Sequence, residues 1–162
     1  MIRNTRLVLI LAIVVFSMMV ATAVYLFARL YPPEILVPFQ STDPDLARAI
    51  WIFGSAPSFL YTLALGLLIG ACTPNITRAR VHCLTWTGLA LCLELSQIPN
   101  IAEPISSWLY NFSSQSIRAF IGPYWSRGIF DPLDLLATLI GGFTALILLD
   151  HLLKESTDAN IS

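Results

Sequence analysis

The sequence predicts an all-α fold, a small multi-pass bundle of four transmembrane helices with a short interfacial amphipathic helix on the outer side. Hydrophobic residues make up 56% of the 162 residues and charged residues only 12%, whereas a soluble domain carries roughly 25% charged residues. The mean hydropathy is +0.73. The apolar residues fall in long runs of near-membrane length, separated by polar segments that contain proline, glycine and serine.

The charge balance and the cysteines narrow the classes of function. A formal net charge of −1 offers no basic surface to the phosphates of a nucleic acid, so we expect no nucleic-acid partner. Cys72, Cys83 and Cys92 have neither an even count nor the spacing of metal ligands, and they lie in or beside apolar runs. We therefore expect no disulfide framework, no metal and no cofactor.

The first span is predicted at 7–30. No charged residue lies between Leu7 and Ala28, and about 20 apolar residues cross the roughly 30 Å hydrocarbon core of a bilayer. Basic residues precede this run, as they do in a secretory signal peptide, and Ala23 ends a possible cleavage site. The apolar run continues to Phe27, which is too long for the usual signal peptide and favours a membrane anchor.

The other three spans belong to the same predicted domain, residues 1–155, which is followed by a short cytoplasmic tail at 156–162. They are predicted at 54–72, 81–98 and 133–153. The glycines at 66 and 70 have a spacing that lets helices approach closely in lipid. The fourth run has only 15 uncharged residues between Asp134 and Asp150, so one of these aspartates lies at the membrane boundary or within it.

Basic residues near the spans predict the orientation of the chain. A four-span protein places the arginines at positions 3, 6, 78 and 80 and the lysine at 154 on one side, which then carries more positive charge than the other. Because positive loops stay in the cytoplasm, we expect both termini to be cytoplasmic. The long connections at 31–53 and 99–130 then face outward.

Both outer connections contain helix signals. Asp43 followed by Pro44 is typical of a helix start. In the second connection, apolar side chains recur at i, i+3, i+4 and i+7, namely Ile105, Trp108, Leu109 and Phe112. This pattern predicts an amphipathic helix over 104–121, lying on the outer membrane surface.

Five polar residues form the candidate ligand-binding site: Glu94, Gln97, Arg127, Asp131 and Asp134. An ionisable side chain in a membrane helix is costly and usually faces a partner or a cavity. Three of them also have a reading that needs no ligand. Glu94 can be solvated at the interface or paired with an arginine, while Asp131 can be an N-cap with Asp134 in the first helical turn. No catalytic residue is assigned.

The same residues resemble the signature of the VanZ-like membrane protein family. The segments are Glu94-Leu-Ser-Gln97, Arg127 and Asp131-Pro-Leu-Asp134-Leu-Leu-Ala-Thr138-Leu-Ile-Gly141. That family has a Glu-x-x-Gln helix end, then an arginine, paired aspartates and an Asp-x-x-x-Asn-x-x-Gly helix. This chain has Thr138 in place of the asparagine, a longer separation before the arginine, and no Asp-Lys-x-x-His pattern in its second run. It resembles a divergent member.

The resemblance implies a bacterial multi-pass protein of the inner membrane with a polar site on its outer face. The family is named for an accessory of glycopeptide resistance that lowers sensitivity to teicoplanin, and no reaction is assigned to it. We expect the site to bind a lipid headgroup, a lipid-linked envelope precursor or a membrane protein partner. Two alternatives stay open. One is a structural or accessory subunit of a larger membrane complex, and the other is an intramembrane enzyme that uses paired carboxylates on a lipid-linked substrate.

Overall fold

A computed structural model of the chain describes residues 2–28, 54–73, 75–112, 114–126, 128 and 130–158, and every regular element in these ranges is an α-helix. The helices are α1 (Ile2–Ala28), α2 (Ala56–Ala71), α3 (Ile76–Leu95), α4 (Pro99–Phe112), α5 (Gln115–Ser126) and α6 (Pro132–Asp158). The all-α prediction is therefore confirmed. The predicted helix start at Asp43, the side chain of Arg127 and the end of the predicted tail lie outside the described residues.

Two of the described helices are long and apolar enough to cross a membrane, through Leu7–Val24 of α1 and Pro132–Leu152 of α6. Helix α2 has 16 residues, about 24 Å at 1.5 Å per residue, which is shorter than the hydrocarbon core of a bilayer. Helix α3 is long enough but includes three charged residues. Length and composition thus support membrane association for two of the four predicted spans.

Helix α3 begins earlier than the span that the sequence predicts. The side chain of Asn75 caps it by accepting hydrogen bonds from the backbone N–H groups of Thr77, at 2.9 Å, and Arg78, at 3.2 Å. Arg78 and Arg80 therefore lie in the first turns of α3, and not in a connection between the predicted spans 54–72 and 81–98. The helix ends at Leu95, before the predicted end of the span at residue 98.

Helices α2, α3 and α6 form the centre of the bundle. Thr87 of α3 packs on Gly142 of α6, while Arg80 near the start of α3 reaches Asp150 near the end of α6, so these two helices are antiparallel. Helix α2 runs parallel to α6, because its early residue Phe59 meets Gly141 and its late residue Gly70 meets Leu149. Helix α1 packs against α2 and adds Ile10 and Val14 to the core.

Small residues allow the central helices to approach closely. A Cβ atom added at Gly141 would collide with the backbone carbonyl of Phe59, and one at Gly66 would lie 3.1 Å from both Ala145 Cβ and Cys83 Sγ. The buried face of α6 carries Asp134, Thr138, Gly141, Gly142, Ala145 and Leu149. The contact between helices thus uses backbone and small side chains, as membrane helix pairs commonly do.

Large apolar side chains point outward from the bundle. Phe16 on α1 is 68% exposed and Phe143 on α6 is 65% exposed. Other exposed large apolar residues on α1, α3 and α6 are Val15, Met19, Leu84, Leu89, Leu93, Leu136 and Ile147. In water, contiguous exposure of this kind is unfavourable. An apolar solvent favours this arrangement, in which small and polar residues lie inside the bundle and large apolar residues lie outside.

The segment 104–121, predicted as a single helix, is divided between two helices, α4 and α5. The backbone carbonyl of Ser114 accepts from Arg118 N–H at 3.0 Å, and its hydroxyl accepts from Ile117 N–H at 3.4 Å, so Ser114 caps a new helix. The Arg118 guanidinium donates to the Tyr110 carbonyl at the end of α4 at 3.1 Å and lies 5.0 Å from the Tyr110 ring centroid. These contacts close α4 and start α5, and the two helices pack together.

Candidate functional site

Polar side chains gather where α2 and α6 begin and α3 ends. The described members are Ser58, Glu94, Gln97, Asp134 and Thr138, and we call this region the polar end of the bundle. It is separated from the opposite end by the small-residue contacts of the central helices. Four of its five members are buried and Glu94 is half-buried.

Glu94 links the last turn of α3 to the first turn of α2. Its Oε1 atom accepts a hydrogen bond from the Ser58 hydroxyl at 3.1 Å. The backbone carbonyl of Ser58 in turn accepts from the Thr62 hydroxyl at 2.8 Å. Glu94 is therefore held by a neighbouring helix and is not simply solvated at the interface, which was one of the two readings that need no ligand.

Gln97 lies just beyond α3 and is 4% exposed. Its backbone N–H donates to the carbonyl of Glu94 at 3.1 Å, which makes a turn after the helix. Gly128 packs against the Gln97 amide, since a Cβ at Gly128 would lie 3.1 Å from Gln97 Cδ. The residue that follows Arg127 in the chain is therefore at the polar end. The position of Arg127 itself lies outside the described residues.

The two aspartates of the predicted site occupy different environments. Asp131 Oδ1 accepts from the Leu133 N–H at 2.9 Å, and the Asp131 carbonyl accepts from the Asp134 N–H at 3.0 Å. Asp131 is thus the N-cap of α6, as the alternative reading predicts. Asp134 is 4% exposed on the buried face of α6. Interaction with the helix dipole does not require such burial, because a carboxylate in the first turn acts on the dipole when solvated as well.

Thr138 also belongs to the polar end, although in the sequence it stands out only as a departure from the VanZ-like pattern. It lies one turn after Asp134 on the same face of α6, with 1% of its surface exposed. Its Oγ1 atom makes no hydrogen bond to any residue that the structure describes. The signal was present in the sequence, because positions i and i+4 of a helix share a face.

A side-chain contact attaches α5 to the polar end. Trp125 Nε1 donates to the Ser96 hydroxyl at 2.8 Å, and that hydroxyl donates to the carbonyl of Leu93 at 2.6 Å. The pair α4 and α5 is therefore held beside the end of α3. Nothing local in the sequence indicates that Trp125 has a partner 29 residues away.

The opposite end of the bundle carries its own polar contacts. Arg80 forms an ion pair with Asp150, with 2.7 Å between Nε and Oδ1. The Thr73 hydroxyl lies 3.0 Å from Nδ1 of His82. These contacts are on the side that the charge distribution assigns to the cytoplasm.

The chemistry of the polar end is that of a hydrogen-bonding site with an excess of acceptors. Two carboxylates, an amide and two hydroxyls lie at this end of the bundle, and Arg127 is the nearest cation in the sequence to the start of α6. Among the described residues, no group of three histidine, cysteine, aspartate or glutamate side chains is arranged to hold a metal ion. The arrangement is suited to binding a polar group that offers hydrogen-bond donors.

The chain matches no protein-family model, no curated protein and no solved structure. The resemblance to VanZ-like proteins consequently rests on the short segments quoted above.

Proposed function

We propose that this chain is a four-span, VanZ-like protein of the bacterial inner membrane whose polar end binds the headgroup of a membrane lipid or of a lipid-linked envelope precursor. Both termini are then cytoplasmic, and the polar end opens to the outer face. The role is binding and not catalysis. A partner membrane protein is the second class of ligand that such a site accepts.

The burial of Asp134 carries this proposal. An ionisable group within a helix bundle is costly to desolvate, and in a membrane protein such a group usually serves a function. Asp131 already caps α6, so the helix start does not account for a second, buried carboxylate. Gln97 and Glu94 surround the same end of the bundle from α3. A group bound there would share its hydrogen bonds with all three side chains.

The way the short helices pack supports the proposal of four spans. Helix α3 contacts α6 from Arg80, paired with Asp150, to Thr87, packed on Gly142, so α3 occupies the same depth as the membrane-length helix α6. Helix α2 lies between them and α1 and runs parallel to α6. An alternation of direction from α2 to α3 to α6 is what three successive crossings require. Local bilayer thinning accommodates the shorter α2.

Arg127 supplies the positive charge of the proposed site. It lies in the chain between α5 and Gly128, which packs on Gln97. A guanidinium binds a phosphate or carboxylate with two parallel hydrogen bonds, and it also balances the carboxylates of Glu94 and Asp134. In this proposal Arg127 binds the phosphate of the headgroup, while the acceptors bind its remaining polar part.

Thermal unfolding of the detergent-purified protein in the presence of defined lipids tests the proposal. A lipid whose headgroup binds the polar end should raise the melting temperature, because a ligand that binds only the folded state stabilises that state. The rise should shrink in Glu94→Gln and persist in Glu103→Gln, an exposed glutamate on α4. Native mass spectrometry should detect the retained lipid. If no headgroup shifts the melting temperature and no lipid is retained, the binding proposal is wrong.

The pair α4 and α5 favours a second candidate, an accessory subunit of a larger membrane complex. Trp108 is 59% exposed, and Ile101 and Ile117 are also exposed. These side chains can contact lipid or a partner protein. Purification in a mild detergent that yields one stoichiometric partner, lost on Trp108→Ser and Ile101→Ser, would favour this role over headgroup binding.

A further inference from the structure

Arg118 carries a positive charge that no acidic residue balances. It lies in the first turn of α5, and among the residues that the structure describes it makes no ion pair, whereas Arg80 pairs with Asp150. The only acidic residue in the sequence of α4 and α5 is Glu103. Glu103 lies two helical turns, about 10 Å, before Tyr110, and Tyr110 is the residue that Arg118 contacts. Because a guanidinium is always charged in proteins, the charge of Arg118 can act on an anion from outside the chain.

One edge of the Arg118 guanidinium is unused. Nη1 donates to the Tyr110 carbonyl at 3.1 Å, while Nε is buried and has no hydrogen-bond partner among the described residues. A charged donor that is buried without an acceptor is unfavourable. In Arg80 the same edge, formed by Nε and Nη2, binds both oxygens of the Asp150 carboxylate at 2.7 and 2.9 Å. The free edge of Arg118 can therefore bind two oxygens of one anion.

The side chains of α4 and α5 indicate which kind of anion fits. Ile117 is 48% exposed, Trp108 is 59% exposed and Tyr110 is 70% exposed. Tryptophan and tyrosine are enriched where a membrane meets water, at the depth of the lipid headgroups. The Tyr110 ring centroid lies 5.0 Å from the guanidinium carbon of Arg118, and a ring so exposed can turn outward to admit a phosphate. A small anion in water would gain nothing from these apolar neighbours, whereas a lipid contacts them with its acyl chains.

We propose that Arg118 binds the phosphate of an anionic phospholipid and so anchors the pair α4 and α5 to the membrane surface. This site is separate from the polar end, because Arg118 lies two turns, about 10 Å along α5, before Trp125, which attaches α5 to Ser96. Its place in the first turn of α5 adds the positive end of the helix dipole. A phosphatidylglycerol headgroup has no cation of its own, so its phosphate needs a counter-charge. In phosphatidylcholine the quaternary ammonium already balances the phosphate.

The test is native mass spectrometry of the purified full chain in an equimolar mixture of phosphatidylglycerol and phosphatidylcholine with identical acyl chains. We expect the wild-type protein to retain phosphatidylglycerol preferentially. Arg118→Gln should reduce this preference about three- to tenfold, as expected for hydrogen bonds to a charged group. Arg118→Lys keeps the charge but not the two-pronged edge, so it should keep part of the preference. Arg78→Gln is the matched control, because Arg78 is an exposed arginine on α3, and it should leave the preference unchanged.

A further variant separates the guanidinium from the folding of the helix pair. Ser114→Ala removes the hydroxyl that caps α5 but leaves Arg118, so the preference should persist. An equal loss in Ser114→Ala overturns the role of the guanidinium, and an equal loss in Arg78→Gln shows that any surface arginine attracts the lipid and overturns the site.

Two other outcomes also overturn the inference. Loss of the preference in Glu94→Gln but not in Arg118→Gln places the lipid at the polar end, which leaves the proposed function standing. Inorganic phosphate is the second probe, added to the detergent-purified protein without lipid. If it raises the melting temperature of the wild-type protein but not of Arg118→Gln, and phosphatidylglycerol is not preferred, the ligand is a free anion and not a lipid.

Discussion

Arg80 and Asp150 lie 70 residues apart in the sequence and form a two-pronged ion pair. The distances are 2.7 Å from Nε to Oδ1 and 2.9 Å from Nη2 to Oδ2. The pair joins the start of α3 to the late part of α6, at the opposite end from the contact between Ser58 and Glu94. The central helices are therefore tied by polar side chains at both ends, with small-residue packing between.

Reversing one charge of this pair should lower the thermal stability of the protein. Arg80→Asp places two like charges together, and so does Asp150→Arg, whereas the double reversal restores an opposite pair. We expect each single variant to lower the melting temperature and the double variant to recover part of the loss. Arg78→Asp, which changes an exposed side chain on the same turn, controls for the altered net charge. Additive losses in the double variant would show that the pair does not couple the helices.

Gly141 should tolerate no larger side chain. Its Cβ would meet the backbone of Phe59, which cannot rotate away, so Gly141→Ala should push α2 from α6 and destabilise the protein by about 1–3 kcal/mol. Gly88 is the matched control, because a Cβ there meets nothing within 4 Å. Gly88→Ala should stabilise α3 by up to about 1 kcal/mol. Free energies of unfolding in mixed micelles measure both, and equal effects would contradict the close contact.

The predicted topology can be tested by cysteine labelling. In a background without the three native cysteines, single cysteines at Ser41 and Ser113 should react with an impermeant reagent in intact spheroplasts. A cysteine at Asn75, in the connection between α2 and α3, should react only after lysis. The reverse pattern would place the polar end in the cytoplasm.

Glu94 and Arg127 should be energetically coupled. Arg127→Gln would leave the carboxylates of the polar end without their predicted counter-charge and destabilise the protein. Adding Glu94→Gln should recover part of the loss, with a coupling of about 0.5–3 kcal/mol. Arg118→Gln serves as the control, because Arg118 contacts Tyr110 at the end of α4. Its effect should add to that of Glu94→Gln, and additivity with Arg127→Gln as well would disprove the coupling.

Helix α4 should lie at the membrane surface with one flank in lipid. Spin labels at Ile101→Cys and Ser107→Cys, again without native cysteines, sample two exposed sides of the helix. The label at 101 should be more accessible to dissolved oxygen, which concentrates in lipid, and the label at 107 to a water-soluble nickel complex. Equal accessibility of the two positions would indicate that α4 is not interfacial.

Local patterns were sufficient to predict where several of the helices begin. The uncharged run after Leu7, the proline at 57 and the pair Asp131-Pro132 lie at or near the start of a helix, and the structure forms helices at all three places. Such signals depend on propensity and capping within a few residues, so they can be read from the sequence. The candidate residues Glu94, Gln97 and Asp134 could be chosen in the same way, because polar side chains stand out in apolar runs.

The end of α4 was harder to predict, because the apolar pattern continues beyond it. The repeat of Ile105, Trp108 and Leu109 predicted one helix to residue 121, but the chain starts a new helix after Ser114. The serine cap and the reach of Arg118 back to Tyr110 decide that break. The periodicity of apolar residues carries no information about such side-chain contacts with the backbone, which compete with continuation of the helix.

The sequence by itself determined that the chain is helical and apolar, and which polar residues interrupt its apolar runs. Only the tertiary structure decided their partners. Glu94 bonds to Ser58, Arg80 bonds to Asp150, and the hydroxyl of Thr138 is buried without a hydrogen-bond partner among the described residues. These outcomes depend on how each helix is rotated and how closely its neighbour approaches, and a glycine such as Gly141 sets that approach through atoms on two helices at once. No signal within a single helix encodes the rotation of its neighbour.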